Sequence, residues 1–263
     1  MKKYLFIFKS ELMSHLQYIF NTLVGFITYF IILFTFLNLW QYIYSDSNEI
    51  INGYSMNQMI WYVIITEILW STLSGRSLCR KISNDVKAGN IAYTMNKPYN
   101  YIIYWVFNHL GASTIRGILY IILGMITGFI FLGSFPNLNI FSVVAILLTA
   151  ILATVINILL IIFIGLFSLF IEDANPFYWL YSKLILIVGV LFPIEYFPKI
   201  IRPFLNFSPV YVVSYGPAKL FVDFSLEKFI SILTVQIIYV VISYLLCNLI
   251  YKKGVKRLNV NGG

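Results

Sequence analysis

Apolar residues in this chain come in long, nearly unbroken runs separated by short polar stretches, without the regular wet face of an ordinary surface helix. A helix needs roughly 20 residues, at about 1.5 Å each, to cross about 30 Å of hydrocarbon. The runs at 18–40, 57–75, 107–132, 140–171, 177–192 and 228–251 therefore read as six transmembrane helices. Residues 1–17 differ. Leu5, Phe8, Leu12 and Leu16 share one helical face and Ser10, Ser14 and Gln17 the other, with Ile7 and Lys9 out of place. That pattern predicts an interfacial helix lying on the bilayer, with a simple extension of the first span as the alternative. No low-complexity linker divides the chain, so residues 1–263 read as one all-α integral membrane domain.

Composition agrees and removes soluble classes. Only 11% of residues are charged and 60% are hydrophobic, with mean hydropathy +0.86, whereas a soluble domain carries about 25% charged residues. Lysine and arginine number 18 against 10 acidic residues, but they sit between apolar runs, where they act as topology signals, so the bilayer and not nucleic acid is the implied partner. Cys79 and Cys247 are far apart and form neither a disulfide framework nor a metal-ligand spacing. The first apolar run is too long for a cleaved signal, so the amino terminus is expected to stay attached. High Ile, Asn, Lys and Tyr usage fits a low-GC bacterial genome, hence a bacterial plasma membrane.

Charge asymmetry sets an expected orientation. Lys2, Lys3, Lys9, Arg76, Arg80, Lys81, Lys87, Lys97, Lys252, Lys253, Lys256 and Arg257 fall on one side, against Lys199, Arg202, Lys219 and Lys228 on the other, where the first loop carries Asp46 and Glu49. The positive-inside rule makes the first side cytoplasmic, with both termini there. Trp40 and Trp61 fall at the outer boundary and Trp105 and Trp179 at the inner one, as an aromatic belt would place them. Residues 193–217, broken by Pro193, Pro198 and Pro209 and carrying Glu195, are apolar yet cannot span as a helix. Irregular backbone at membrane depth must be buried in protein or line a water-filled cavity, so this stretch reads as an external re-entrant helical hairpin.

Three ionisable residues, Glu67, Arg116 and Lys183, lie inside proposed spans at similar depth. Each is costly in lipid and so marks a functional position. An ion pair between Glu67 and Arg116 is expected, serving either to join two helices or to gate. Asn157 is expected to make an interhelical hydrogen bond, and Gly124 with Gly128 a close-packing notch.

The sequence holds no phosphate-binding GxxxxGK[ST], HExxH, GxSxG or Cys/His cluster, and His15 and His109 lie in different segments. No cofactor is expected on the chain itself; if transport is active, ATP is used by a separate ATPase partner. The place for that partner is the basic stretch 76–100. Leu78, Ile82 and Val86 recur at helical spacing while Arg80, Lys81 and Lys87 point elsewhere, and Gly89 is placed to end the helix. Such a helix either plugs into a groove on a partner or rests on anionic headgroups.

The segment from Gly53 and Tyr54 through Asp85, Lys87, Gly89, Ala92, Lys97 and Pro98, with the later Pro193, Glu195, Pro198 and Pro209 and the tail from Tyr251 to Arg257, resembles permease subunits of the ATP-binding-cassette type-2 transporter family. The branch it is most similar to has six spans and no fused ATPase. That resemblance implies a coupling helix around Arg80, Lys81, Ile82, Asp85, Val86, Lys87 and Gly89. It also implies a dimer with an identical or paralogous second permease, separate ATPase subunits, and export. A membrane-embedded enzyme, or a passive channel or scaffold without an ATPase, is the alternative from the residues alone.

Overall fold

The structure, a computed structural model, describes residues 1–17, 19–44, 49–95, 97–136 and 138–261, with the side chains of 19–23, 92, 95 and 257–261 outside the description. Tyr18 and Asp46, and the side chains of Ala92 and Arg257, which the sequence reading used, therefore lie outside the described residues. The elements in order are α1 (Lys2–Gln17), α2 (Ile19–Ile43), β1 (Ile50–Ile51), β2 (Tyr54–Ser55), α3 (Met56–Thr72), α4 (Arg76–Lys87), α5 (Asn90–Met95), α6 (Tyr101–Leu132) and α7 (Ile140–Leu166). After a 3-10 turn at Phe167–Leu169 come α8 (Asn175–Ile185), continued by a π-helix at Leu186–Leu191, and a 3-10 turn at Ile194–Tyr196. The chain ends with α9 (Arg202–Asn206), a π-helix at Tyr211–Tyr215, α10 (Gly216–Val222) and the long α11 (Leu226–Asn261).

Among the described residues four helices are long and apolar enough to cross a membrane: Val24–Ile43, Tyr101–Leu132, Ile140–Leu169 and Leu226–Lys256; Asn175–Leu191 is a shorter apolar helix. The long helices turn apolar side chains outward, among them Phe30, Ile126, Ile151 and Leu245. Water cannot cover such faces cheaply, at about 25 cal/mol per Å² of apolar surface, so the bundle is membrane-embedded.

The second apolar run behaves differently. α3 has 17 residues, about 25 Å of helix, and twelve of them are buried. It packs against α2, α6, α10 and the π-helix of Leu186–Leu191 at the centre of the protein. A helix apolar all round lies in lipid or in a protein core; here other helices surround it. Its start is fixed locally, because Ser55 and Gln58 cap each other's backbone amides, with Ser55 N donating to Gln58 Oε1 at 3.0 Å. Ahead of it, β1 and β2 form a hairpin through Asn52 and Gly53, both at positive φ as a type I′ turn requires.

The expected notch on α6 is present. A Cβ at Gly128 would sit 2.4 Å from the ring of Trp61, and one at Gly124 2.5 Å from Ile68, so α6 reaches α3 only because these positions lack side chains. Gly128→Leu is expected to wedge α6 off α3 and destabilise the protein by about 1–3 kcal/mol, read as a lower thermal midpoint in detergent.

The aromatic-belt reading is corrected. Trp40, Trp61 and Trp105 are buried in protein, and of the four only Trp179 is open, at 59% exposure. Trp40 meets Phe192 and Tyr196 edge-on, and Trp61 packs on Phe135 and Phe221. Their position in sequence matched an interface, but their rings pack inward, which periodicity cannot reveal.

At the end of the bundle where α3 begins, the chain from Phe192 to Asp223 passes through α9, the π-helix and α10. Phe207 accepts a hydrogen bond from Tyr239, well into α11, and Gln236 donates to Val212 O at 2.9 Å and to Thr149 O at 3.0 Å. Pro193 opens the 3-10 turn, Pro198 O accepts from Ile201 N, and Pro209 begins the returning helix. Glu195 is the hub. Its carboxylate accepts from Tyr215 (2.7 Å) and Tyr54 (3.1 Å) and pairs with Lys219 at 3.2 Å, while Arg202 donates to its backbone oxygen at 2.7 Å. Lys219 also lies 4.1 Å over the Tyr54 ring.

Beside this hub, burial alone would push the Asp223 carboxyl up, yet Lys228 at 2.6 Å and Lys219 at 3.3 Å hold it below its ordinary value. A carboxyl depressed by folding adds stability above the unfolded value of about 3.9 and loses it as pH falls through the folded value. Asp223→Asn is therefore expected to flatten the acid limb of the stability profile below about pH 4 and to leave its shape above pH 5 unchanged, as a pH series of thermal melts will read.

Candidate functional site

At the opposite end of α3, α4 turns back across the bundle. Its alternation of apolar and basic positions makes it strongly amphipathic. Leu78, Cys79, Ile82 and Val86 are buried in a cluster with Ile158, Ile161, Ile162 and Leu166 of α7. Ser168 donates to Ser83 at 2.8 Å beneath it, and Gly165 brings α7 close to Ile82. The face of Leu78, Ile82 and Val86 is filled by the chain's own α7, so only the other face is left open. An apolar stripe seeks the nearest apolar cover, and α7 supplies it.

What α4 leaves open is its polar face. Arg76, Arg80, Lys81, Asn84 and Lys87 are exposed. Lys87 pairs with Asp173 at 3.6 Å, whose carboxyl is held low chiefly by the Asn175 backbone N–H. Asp85 is half-buried and accepts from Tyr101 at 3.3 Å; burial pushes its carboxyl above the ordinary value, with Tyr101, Lys81 and Lys97 pulling it back. Gly89 follows the helix at φ +72, donating to Val86 O at 3.1 Å, a left-handed stop that favours glycine.

The expected ion pair is absent. Arg116 donates to Ser74 O at 3.0 Å, to Ser113 Oγ at 3.4 Å and to His109 Nε2 at 3.5 Å. A cation just past the end of α3 finds the unsatisfied carbonyls and negative dipole end there, which compete with a carboxylate deeper in the bundle. Glu67 is only 1% exposed, and neither carboxylate oxygen has a partner. Lys183 is exposed on α8, with its ammonium 5.9 Å from the Trp179 ring. Glu67, Arg116 and Lys183 are therefore not brought together.

Glu67 lines a cavity of about 250 Å³ between α2, α3, α6, α7 and α8, roofed by Val213 and Ser214 of the returning π-helix. Asn157 makes the interhelical bonds expected of it there, donating to Leu73 O and accepting from Tyr181, both at 2.8 Å. The walls include Tyr29, Trp70, Tyr120, Tyr178 and Tyr181, none of which sequence reasoning singled out. Tyrosine in a span carries no periodic mark of which residues it will face. Through Trp70, Ser74, Tyr178 and Ser182 the cavity adjoins a wider space of about 670 Å³ whose lining adds Arg76, Arg80, Asp173 and Lys183. Among the described residues no group of three or more His, Cys, Asp or Glu stands close enough to hold a metal ion.

Residues 26–262 match the family described as ABC-2 family transporter protein. The chain belongs to that family. No curated protein matches it. As an ABC-2 family membrane protein it is a transport component, and in this ABC-2 chain the match leaves out only residues 1–25 and the last residue.

Proposed function

We propose that this chain is the permease subunit of an ABC exporter in a bacterial plasma membrane, energised by a separate ATPase that docks on the polar face of α4. The observation that carries the reading is the construction of α4: one face locked onto α7 through Leu78, Cys79 and Ile82, the other presenting Arg80, Lys81 and Lys87. A helix anchored this way transmits a push on its outer face into α7, whereas a loop resting loosely on headgroups would absorb it. On this reading ATP is bound and hydrolysed only by the partner. The chain crosses six times, with α3 and Asn175–Leu191 as the two shorter crossings. Both termini and α4 are cytoplasmic, α1 lies at the inner interface, and the segment at 193–217 is the external re-entrant hairpin. A second permease, identical or paralogous, completes the transporter, as the resemblance to type-2 permeases implies.

Gentle extraction of the tagged chain from its native membrane tests the reading. A cassette ATPase in stoichiometric amount is expected to co-purify, and vesicles holding both subunits are expected to hydrolyse ATP. Recovery of the folded chain with no ATPase across several mild detergents contradicts it.

A further inference from the structure

The cavity around Glu67 is built unlike a packing defect. Voids left between apolar helices are dry and lined by aliphatic side chains, but here a buried carboxylate is part of the lining. Five other polar side chains in the lining are already used. Tyr181 donates to Asn157, Asn157 to Leu73 O, Ser182 to Trp179 O and Ser214 to Val210 O, while Tyr178 accepts from Gly75 N. Two buried groups have no partner: both oxygens of Glu67 and the hydroxyl of Tyr29. No Lys, Arg or His lines the cavity among the described residues, and Arg116 is committed to Ser74, Ser113 and His109. A buried carboxylate without a hydrogen bond is costly, and the cost is removed by a ligand that brings a positive charge and donors.

We propose that this cavity seats the protonated amine of a transported molecule, with Glu67 as counter-ion and the tyrosine rings as its walls. The surrounding residues fit such a guest. Tyr29 and Tyr120 stand ring to ring at 5.3 Å, and Trp70, Tyr178 and Tyr181 complete an aromatic lining that attracts cations through their π-faces. At about 250 Å³ the space lies below the about 300–1,000 Å³ of drug-sized pockets, which suits an alkylammonium or the amine end of something longer. Arg76, Arg80 and Lys183 line the adjoining wider space and not the cavity. Asp173 lines that space too, so the charges there are of both signs. The proposal rests on the transporter reading for the purpose of the cavity, but its binding test needs no ATPase.

The test uses the full chain alone in phosphatidylcholine nanodiscs at neutral pH, where an alkylamine is protonated. Hexylamine and hexanol, of equal length and differing in the charged head, are titrated against tryptophan fluorescence and the thermal midpoint; Trp70 lines the cavity. Hexylamine is expected to bind at least tenfold more tightly than hexanol, and Glu67→Gln to bring that ratio to about one with hexanol unchanged. If Glu67→Gln fails to fold, the wild-type chain is treated with dicyclohexylcarbodiimide, which modifies buried carboxyls. Hexylamine is expected to slow modification of Glu67, read by peptide mass spectrometry, at least fivefold more than hexanol does. Equal binding of amine and alcohol by the wild type, a preference that survives Glu67→Gln, or equal protection by both compounds overturns the proposal. Each of those results leaves ATPase co-purification, and with it the permease reading, untouched.

Discussion

Reversing Arg80 and Lys81 together to glutamate is expected to cut ATPase co-purification at least tenfold while leaving the permease folded and at its normal level in the membrane. Both side chains are exposed and make no ion pair among the described residues. Their loss costs the fold little, since exposed charges contribute about 0–1 kcal/mol to stability. Complementarity across a docking surface is more sensitive, because like charges brought together cost several kcal/mol. Ile82→Asp, two positions from Arg80, should do the opposite. Ile82 is fully buried against α7, and an unpaired carboxylate there leaves α4 no place to pack, at a cost of more than about 3 kcal/mol. The chain itself should then be lost from the membrane. Quantitative immunoblots of membranes and of the co-purified fraction separate the two outcomes. A double reversal that lowers both in parallel shows α4 acting in folding alone.

Glu195→Ala is expected to lower stability by about 2–4 kcal/mol, a fall of roughly 5–10 °C in thermal midpoint. One carboxylate answers Tyr215, Tyr54 and Lys219. Removing it leaves two phenols without acceptors and a mostly buried ammonium with only Asp223 and the Tyr54 ring. Glu195→Gln keeps an acceptor for the phenols and should recover about half of the loss. Arg202 donates to the backbone oxygen, so its bond survives both changes, and the damage should stay local to the hairpin's hold on Tyr54 and α10. Differential scanning fluorimetry of the three proteins decides it; a Glu195→Ala chain as stable as wild type contradicts the hub.

These expectations show what a single sequence carries. Long apolar runs announce helices because nothing else satisfies the backbone in lipid, and α2, α6, α7 and α11 lie where their runs do. The same signal could not tell that α3 is buried in protein, since an aliphatic surface suits lipid and protein equally. The amphipathic pattern of α4 was legible, but which of its faces is free depends on α7, which lies about 80 residues further on. Gly124 and Gly128 could be read because small residues mean close approach wherever they occur. Glu67 and Arg116 could be read as costly, yet their partners could not, because Arg116 found carbonyls at the end of α3 in place of a carboxylate. The Asn52–Gly53 dipeptide is a strong hairpin signal, but strands of two residues each are too short to show an alternating pattern in the sequence.

The account depends most on α4 and the 193–217 segment lying on opposite faces of the membrane, joined by the length of α3. Single cysteines at Lys81 and Lys199, both exposed, test this against a membrane-impermeant maleimide in sealed vesicles of each orientation. The native Cys79 and Cys247 are buried, and burial pushes the Cys79 thiol up to about 11, so both should stay silent. Labelling of Lys81→Cys only in inside-out vesicles and of Lys199→Cys only in right-side-out vesicles is the predicted result. Labelling of both from the same side contradicts the account.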